Sequence, residues 1–268
     1  MPREQGHSFD PHAAKPDVPS FSKLPRHLAI IMDGNGRWAA QRKRPRVFGH
    51  RRGMERAKDI VRACGDLLLE SLTLYPFSLD NWNRPKREVD TLMRLLVKFL
   101  KSELEEMMES NIRFRVLGRR EMLPEFVMDA VREDEVTTAA NTGLNLNLAV
   151  SYGGRAEIVD AVNALRRDMA EGVLTEQPVT EELIERHLYT SGQPQVDLLV
   201  RTSGELRISD FLLWQIAYAE IYVTDAFWPD FSREELYRAL TSYSGRERRF
   251  GRLGYQIEKD PNGEKTDG

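Results

Sequence analysis

"IIMDGNGRWA", residues 30–39, joins an apolar run to a turn made of an aspartate, an asparagine and two glycines. The run predicts a buried strand, and ligands of open α/β sheets gather beyond the carboxyl ends of the strands. Gly34 and Gly36 allow a tight turn whose N–H groups face an anion, and Arg37 adds positive charge. Asp33 would repel a bare phosphate unless a divalent cation lay between them. The stretch suggests a phosphate site, although by itself it is more simply an Asp-Gly turn with an exposed arginine.

The composition is that of an ordinary globular protein. A chain of 268 residues with 41% hydrophobic content can bury one large core. The formal charge of -3 argues against a surface fitted to nucleic acid, which is not an expected partner. A single cysteine, Cys64, excludes an internal disulfide, and no apolar run approaches the roughly 18 residues of a membrane span. These features predict a cytoplasmic protein.

The order of predicted elements is that of one α/β domain with a mainly parallel central sheet flanked by helices. Residues 1–24 are rich in proline and polar residues and predict a disordered tail, and 252–268 form a polar C-terminal tail. Between them, residues 25–251 form the predicted catalytic domain. Helical spacing marks the region from Met54 to Leu68, the segment 88–110 and a helix over 155–170, while Ser232 and Glu235 have capping-box spacing. The predicted strands are "LAIIM", "LTLYPF", "IRFRVLG", "LNLNLAV", "VDLLV" and "EIYVTDAF".

Two further polar clusters contain arginines. "RPRVFGH" places Arg46 and His50 just before a helix, where they suit a phosphate oxygen or a proton transfer, or form a solvated basic loop. "RTSGELRIS" follows the strand "VDLLV" and places Arg201, Arg207 and Ser209 at its carboxyl end. The glycine spacing near residue 34 matches neither common nucleotide motif. Arginines converging on one edge predict several phosphate groups, and two diphosphates would fit.

The loop after the second predicted strand, "PFSLDNWNRP", is dense in polar and aromatic groups. A connector does not need this density, which favours a binding role. A plain turn with a tryptophan anchored in the core accounts for the same residues. The candidates are Phe77, Ser78, Asp80, Asn81, Trp82 and Arg84.

Several long segments, in order, closely resemble the cis-prenyltransferases, and among them the bacterial undecaprenyl diphosphate synthases. The likeness covers residues 25–251 and implies a parallel-sheet fold, unlike that of the all-helical trans-prenyltransferases. Consistently, the chain has no D-D-x-x-D motif. The segments are "HLAIIMDGNGRWA", "FGH", "LTLYPFSLDNWNRP", "LNLNLAVSYGGRAEI", "RTSGELRISDFLLWQIAYAEIYVTDAFWPDF" and "GRERRFG".

The resemblance implies a reaction and a set of roles. The chain would extend an allylic diphosphate such as farnesyl diphosphate with successive isopentenyl diphosphates, each giving a cis double bond. The long product, such as undecaprenyl diphosphate, is a lipid-carrier precursor for cell-wall synthesis. Mg²⁺ is the implied cofactor, held by Asp33 and, across a homodimer interface, by Glu220.

The implied substrate contacts fall into groups. The allylic diphosphate is assigned to Gly34, Asn35, Gly36, Arg37 and Arg46. The isopentenyl diphosphate is assigned to Arg201, Arg207 and Ser209. Moving the diphosphate or the released proton is assigned to His50, Ser78 and Asn81, and the resemblance does not choose among them. The remaining substrate-binding set is Trp38, Phe77, Asp80, Trp82, Arg84, Glu88 and Ile208.

The growing chain needs an apolar tunnel, and the resemblance places one wall on the helix carrying Leu92, Leu95, Leu96 and Phe99, with Leu144 at its floor. An amphipathic helix that simply packs on the sheet explains the same pattern. Three departures from the family are Pro76, Leu79 and Asp210, where a small alanine, Ser or Thr, and Asn are usual. Product length and the preferred allylic starter are left open, and transient contact with the inner face of the membrane would serve product release.

Two rival functions remain open. A non-catalytic partner subunit of the same fold would be expected to lack part of the phosphate loop, whereas Asp33, Arg37 and Arg46 are all present. An RNA-binding protein would use "RKRPR" and "GRERR" as basic patches, and a steep salt dependence of binding would be its signature. The acidic balance of the rest of the chain counts against it.

Overall fold

The computed structural model describes residues 19–174 and 178–246. Six strands, all parallel, form one sheet in the order β3-β4-β2-β1-β5-β6, which confirms the predicted α/β class. The strands are β1 (His27–Ile31), β2 (Ser71–Ser78), β3 (Arg113–Leu117), β4 (Asn145–Tyr152), β5 (Leu198–Thr202) and β6 (Glu220–Thr224). The helices are α1 (Asn35–Gln41), α2 (Arg46–Asp66), α3 (Lys86–Glu109), α4 (Glu125–Thr137), α5 (Gly154–Ala170), α6 (Glu181–Glu185) and α7 (Arg233–Ser244). Short 3₁₀ helices span Leu79–Asn83, Arg120–Met122 and Trp228–Asp230.

The strand order reverses beside β1, which decides where a ligand can bind. From β1 the chain passes to β2 on one side, whereas β5, its other neighbour, continues to β6 on the opposite side. Right-handed crossovers then place the two connections on opposite faces of the sheet, which leaves a crevice between the strand ends. The crevice lies beyond the carboxyl ends of β1 and β5, where Asp33 and Arg201 were predicted.

The two faces of the sheet are covered unequally. The larger core packs α2, α3, α4 and α7 on one face. The smaller core on the other face includes Tyr152, Phe211 and Leu212. Phe21 and Leu24, which the sequence analysis placed in the N-terminal tail, are partly buried against the larger core. Residues 1–18, 175–177 and 247–268, which include the C-terminal "ERRFG", lie outside the described part of the chain.

Three local predictions need correction. Helix α1 begins at Asn35, inside the stretch predicted as a loop. Helix α2 begins at Arg46, after Pro45 at its N-cap, so Arg46 and His50 lie within the helix and not before it. Helix α4 was not predicted. The cap at Ser232 is confirmed, because its side chain accepts a hydrogen bond from the N–H of Glu235.

Two glycines allow the first helices to pack closely. Gly34 has a φ of 102°, and a Cβ there would lie 2.6 Å from the ring of Phe227. A Cβ on Gly49 would lie 2.0 Å from the carbonyl oxygen of Asn35. A side chain at Gly49 would force α1 and α2 apart, and a side chain at Gly34 would clash with Phe227. Within the described ranges, no helix has the length and apolar character of a membrane span.

Asp134 is a buried carboxyl group on α4. The residue is 1% exposed, and its Oδ2 has no hydrogen-bond partner among the described residues. Burial, with the charges of Glu133 and Glu135, raises the pKa of Asp134 to about 7. The folded protein therefore retains a proton that the unfolded chain loses near pH 4. This carboxyl destabilises the fold increasingly as the pH rises from about 4 to about 7.

We expect Asp134→Asn to remove this pH dependence. Between pH 5 and pH 8, the wild type should lose about 1–3 kcal/mol of unfolding free energy relative to the variant, the cost typical of an unpaired buried polar group. Urea denaturation at both pH values measures the difference. Asp129→Asn, an exposed change on the same helix, is the control. If the unfolding free energies of the wild type and Asp134→Asn change equally between pH 5 and pH 8, the fold does not hold a charged, buried carboxylate at Asp134.

Candidate active site

A polar pocket lies beyond the carboxyl ends of β1, β2 and β5. It brings together the glycine turn, the start of α2, the loop after β2 and the segment after β5. Most of the residues predicted for diphosphate binding line it. They are Asp33, Gly34, Asn35, Gly36, Arg37, Arg46, His50, Ser78, Asp80, Asn81, Arg84, Arg201, Arg207 and Ser209.

Asp33 joins the turn after β1 to the strand β5. Its Oδ1 accepts a hydrogen bond from the N–H of Gly34 at 2.7 Å. Its Oδ2 lies 3.0 Å from Nη2 of Arg201 and 3.2 Å from Nη2 of Arg37. Partial burial acts to raise the pKa of Asp33, but the hydrogen bond from Arg201, the charge of Arg37 and the bond from Gly34 outweigh it. The net effect lowers the pKa, so the group is a carboxylate at neutral pH.

Arg201 is the buried cation of the pocket, with 3% of the residue exposed. It donates to the Ser209 hydroxyl at 2.8 Å and to the carbonyl of Arg207. Its Nε is buried without a partner among the described residues. Ser209 and Asp210 have φ values of 48° and 57°, which are uncommon for residues with a side chain. Arg201 thus holds a strained segment against the end of β5.

Four more arginines surround the pocket in two pairs. Arg37 and Arg207 both contact Glu205, and Arg46 and Arg84 both contact Glu88. Each pair shares one carboxylate, so each has donors left for an anion. The predicted residue Glu88 therefore stands behind two arginines and does not line the pocket itself.

His50 lies at the boundary between polar and apolar surroundings. Burial and the positive charges of Arg84 and Arg46 lower the pKa of His50 to about 4, although the negative charge of Glu88 acts in the opposite direction. Its Nε2 is buried and has no partner among the described residues. The ring is therefore neutral at pH 7, and one of its nitrogens is left without a hydrogen bond from the described residues.

The loop after β2 is organised by its own hydrogen bonds. The N–H of Ser78 donates to Oδ1 of Asn81 at 3.2 Å, and the Ser78 side chain accepts from the Asn81 N–H in a reciprocal cap. Trp82 donates from Nε1 to the Ser151 hydroxyl at 2.9 Å and packs edge-on to Phe77. Trp82 thus anchors the loop, while Ser78 and Asn81 face the pocket.

An apolar cavity adjoins the polar pocket. It lies between α2, α3, β2 and β4, and its walls include Leu92, Leu95, Leu96 and Phe99, the residues predicted on one helix face. Phe77 lines this cavity and not the polar pocket. Leu144, predicted at the floor, belongs to the surrounding core but not to the cavity wall. The residues that line both cavities are Met32, Asn35, His50 and Pro76.

Three predicted residues lie away from the polar pocket. Trp38 is buried and donates from Nε1 to Asp230 at 2.7 Å, and Ile208 packs against the smaller core. Glu220 is the first residue of β6, whereas Asp33 follows the last residue of β1. Because all strands are parallel and Glu220 is in register with Leu28, the two carboxylates stand at opposite ends of the sheet, separated by roughly 16 Å along the strand direction.

The structure also shows three pocket residues that the motifs did not suggest, the first of which is Ile31 at the end of β1. Met32 and Tyr75 also line the polar pocket. Tyr75 donates its hydroxyl to the carbonyl of Tyr152 at 3.1 Å and stacks on Phe211, with 4.4 Å between ring centroids. In the sequence all three look like ordinary strand residues. Only their position at a strand end would have singled them out.

The donor set of the pocket fits a magnesium ion that shares its ligands with a substrate. Among the described residues, no three His, Cys, Asp or Glu side chains form a closed metal cluster. Asp33 does present a carboxylate, 31% exposed, to a pocket lined with arginines. Mg²⁺ typically takes one or two carboxylates together with substrate phosphates. Asp33 would suit that role as the protein's carboxylate.

Comparisons with known proteins agree with this geometry. An isoprenyl transferase of Geobacter sulfurreducens is 52% identical over 235 residues, which cover 88% of this chain and 96% of that protein. The ditrans,polycis-undecaprenyl-diphosphate synthase ((2E,6E)-farnesyl-diphosphate specific) of Vibrio vulnificus is 46% identical over 235 residues, 88% of this chain and 94% of that one.

Solved structures give the same picture. Lavandulyl diphosphate synthase from Lavandula x intermedia, in complex with dimethylallyl diphosphate, superposes with a TM-score of 0.82 at 39% identity, covering 85% of this chain and 98% of that one. A probable undecaprenyl diphosphate synthase from Campylobacter jejuni gives 0.70 at 32% identity, covering 86% and 100%. The family profile described as "Putative undecaprenyl diphosphate synthase" matches residues 31–251. The chain therefore belongs to the undecaprenyl diphosphate synthase family of prenyltransferases.

Proposed function

We propose that this chain condenses isopentenyl diphosphate successively onto an allylic diphosphate, with farnesyl diphosphate as the starter, to give a long polyprenyl diphosphate. One observation carries the proposal: a pocket lined by arginines adjoins an apolar cavity and shares lining residues with it. An amphiphile with an anionic head and an apolar tail matches both parts. The family membership and the farnesyl specificity of the Vibrio vulnificus relative support the same substrates.

The allylic diphosphate binds where the two cavities meet. Asn35 and Gly36 present backbone N–H groups, and Arg37 and Arg46 add charge. Gly34 allows the turn, while its own N–H is bonded to Asp33. The prenyl tail of the substrate enters the apolar cavity between α2 and α3. His50 lines both cavities, which supports a position of the reactive C1 carbon near it.

The isopentenyl diphosphate binds on the β5 side. Arg207 and the Ser209 hydroxyl line the pocket there, beside the buried Arg201. Because Arg201 is fixed by Asp33 and Ser209, its guanidinium is oriented before substrate arrives, and little entropy is lost on binding. The two diphosphates then lie on either side of Asp33.

The chemistry requires one bond to break and another to form. The C1–O bond of the allylic substrate breaks, the double-bond electrons of isopentenyl diphosphate form the new C–C bond, and a proton leaves its C2 carbon. Arg37 and Arg46 stabilise the charge that grows on the departing diphosphate. Mg²⁺, when bound at Asp33, supplies further neutralisation of that charge.

Three residues of the pocket, His50, Ser78 and Asn81, are the candidates for moving the diphosphate or the released proton. His50 is neutral and has a free nitrogen, and Ser78 and Asn81 lie across the pocket from it on the loop after β2. The low pKa makes free His50 a weak base, and a bound diphosphate would raise that pKa by its negative charge. Inorganic diphosphate itself is an alternative acceptor of the proton.

We propose that the active form is a homodimer. The edge strand β6 and its flanks expose apolar side chains, with Leu206 87%, Tyr218 79% and Ile221 48% exposed. An uncovered sheet edge with apolar residues is a typical association surface. Glu220 stands on this edge strand and pairs with Arg246. A second copy packed there would bring its Glu220 toward the pocket, which a single chain cannot do.

The remaining elements of the proposal concern context. The enzyme works in the cytoplasm and contacts the inner face of the membrane transiently to release its product. Residues 25–251 form the catalytic unit between two tails. A non-catalytic subunit is the alternative, and the convergence of Asp33 and all five pocket arginines counts against it.

The first test is incorporation of radiolabelled isopentenyl diphosphate into chains primed with farnesyl diphosphate and Mg²⁺. Asp33→Ala should lose several orders of magnitude in turnover, because a metal contributes several kcal/mol to a charge-separating transition state. Asp33→Asn, which keeps a polar partner for Arg201, should lose as much. Both variants should still bind the allylic diphosphate in a fluorescence titration.

Arg201→Ala is the matched comparison for the second substrate. It should raise the Michaelis constant for isopentenyl diphosphate more than that for the allylic substrate. Thermal unfolding checks that each variant is folded. Near-normal turnover of Asp33→Asn would contradict the metal role. Loss of allylic binding alone in Arg201→Ala would show that the two sites are exchanged.

Mixing two inactive variants tests the homodimer. If Glu220 acts on the partner's pocket, a heterodimer of Asp33→Ala and Glu220→Gln chains contains one intact site and one doubly altered site. Random reassociation should then restore about a quarter of wild-type activity, because half the dimers are mixed and half their sites are intact. Each variant alone is the control. If no activity is recovered after subunit exchange has been verified, Asp33 and Glu220 act within the same chain.

Pro76 is expected to limit product length. Its ring lines both cavities at their junction, where the β2–β4 ladder shifts register. Pro76→Ala should widen the passage and lengthen the products separated by chromatography. Pro178→Ala, on an exposed loop, controls for the general effect of removing a proline. An unchanged product ladder would mean that Pro76 only shapes the strand end.

A further inference from the structure

One short region of the chain carries most of its excess positive charge. Residues 37–58 contain nine Lys or Arg and one Glu, a local charge of +8. Since the whole chain has a charge of -3, the rest of it carries -11. Such an asymmetry indicates an anionic partner for this region.

The substrates account for only part of this charge. Of the nine, Arg37 and Arg46 line the polar pocket. Lys43, Arg44 and Arg51 are exposed, line neither the polar pocket nor the apolar cavity, and form no ion pair within residues 19–174 and 178–246. Three uncompensated cations therefore face solvent beside the site without contributing to it.

An exposed aromatic ring lies among these cations. Phe48 is 42% exposed and stacks on Trp38, with 5.8 Å between ring centroids. The Arg44 guanidinium carbon lies 5.4 Å from the centre of the Phe48 ring. An exposed ring flanked by Lys and Arg is the composition of surfaces that lie on anionic lipid, where the ring enters the interface and the cations meet the headgroups.

Helix α3 continues the positive charge on the other side of the apolar cavity. Arg87, Arg94 and Lys98 are exposed on α3, which forms one wall of the cavity as α2 forms another. Arg46 of α2 lies 3.5 Å from Glu88 of α3, so the helices start side by side. Both helices that enclose the cavity thus present cations to solvent.

We propose that this basic face docks on an anionic phospholipid bilayer and so brings the apolar cavity next to the membrane. The basic face consists of Lys43, Arg44, Phe48, Arg51, Arg87, Arg94 and Lys98. The inference rests on the proposed function, because a polyprenyl product held between α2 and α3 has to pass into the bilayer. A nucleic acid would match the charge but not the continuity with an apolar cavity.

Binding to vesicles without any substrate tests the proposal. The full chain is titrated with vesicles of phosphatidylglycerol and phosphatidylcholine, and with phosphatidylcholine alone, at low and high salt. The triple variant Lys43→Gln, Arg44→Gln, Arg51→Gln should bind the anionic vesicles about a hundredfold more weakly than the wild type. The control triple Arg166→Gln, Arg167→Gln, Arg186→Gln removes equal charge from exposed positions on and beside α5 and α6 and should bind normally.

The outcomes separate this proposal from its rivals. Wild-type binding that requires anionic lipid, weakens at high salt and is lost in the first triple variant alone supports it. The proposal is overturned if the wild type does not bind anionic vesicles or if both triple variants lose binding equally. It is also overturned if the wild type, titrated with RNA, binds RNA through this region but does not bind vesicles. Chain elongation in detergent solution is measured in parallel and should be equal in the first triple variant and the wild type. A wild type that binds vesicles but elongates nothing would instead refute the proposed function.

Discussion

The bond between Asp33 and Arg201 is the contact on which the site depends. It crosses from the end of β1 to the end of β5, the two strands between which the chain changes direction across the sheet. Arg201 is almost fully buried, and a buried cation without a nearby carboxylate would be costly. The pair therefore holds the glycine turn and the strained segment around Ser209 in one arrangement. A carboxylate and an oriented cation then stand together where two anionic groups can meet.

The rest of the site is arranged around the junction between the polar pocket and the apolar cavity. His50 and Pro76 belong to both, so the same residues border the polar pocket and the apolar cavity. Burial beside two arginines keeps the His50 ring neutral, which lets it stand against an apolar wall. The pairing of four arginines with two carboxylates keeps the cations in place without cancelling them. In the proposed function, binding, bond cleavage and chain growth take place at this junction.

Many features could be predicted from the sequence because they are local or periodic. The aliphatic runs fall on β1, β2 and β5, and the cap at Ser232 opens α7, because hydrophobic spacing and capping chemistry act over a few residues. The prediction of a loop at Asn35 was wrong, since α1 is stabilised by packing on α2 through Gly49, a contact between separate segments. Met32 and Tyr75 were missed because nothing in their local pattern distinguishes a pocket residue from a core residue.

The sequence by itself determined the α/β class, the strand ends that carry function and the family of the chain, because motif residues and hydrophobic periods are written in order along it. Only the tertiary structure decided which of these residues meet. Asp33 and Arg201, 168 positions apart, are in contact because their parallel strands are neighbours, whereas Glu220 lies at the far end of the same sheet although its motif is as close to the family pattern. Strand order and direction are global properties of the packed chain, and no local stretch contains them.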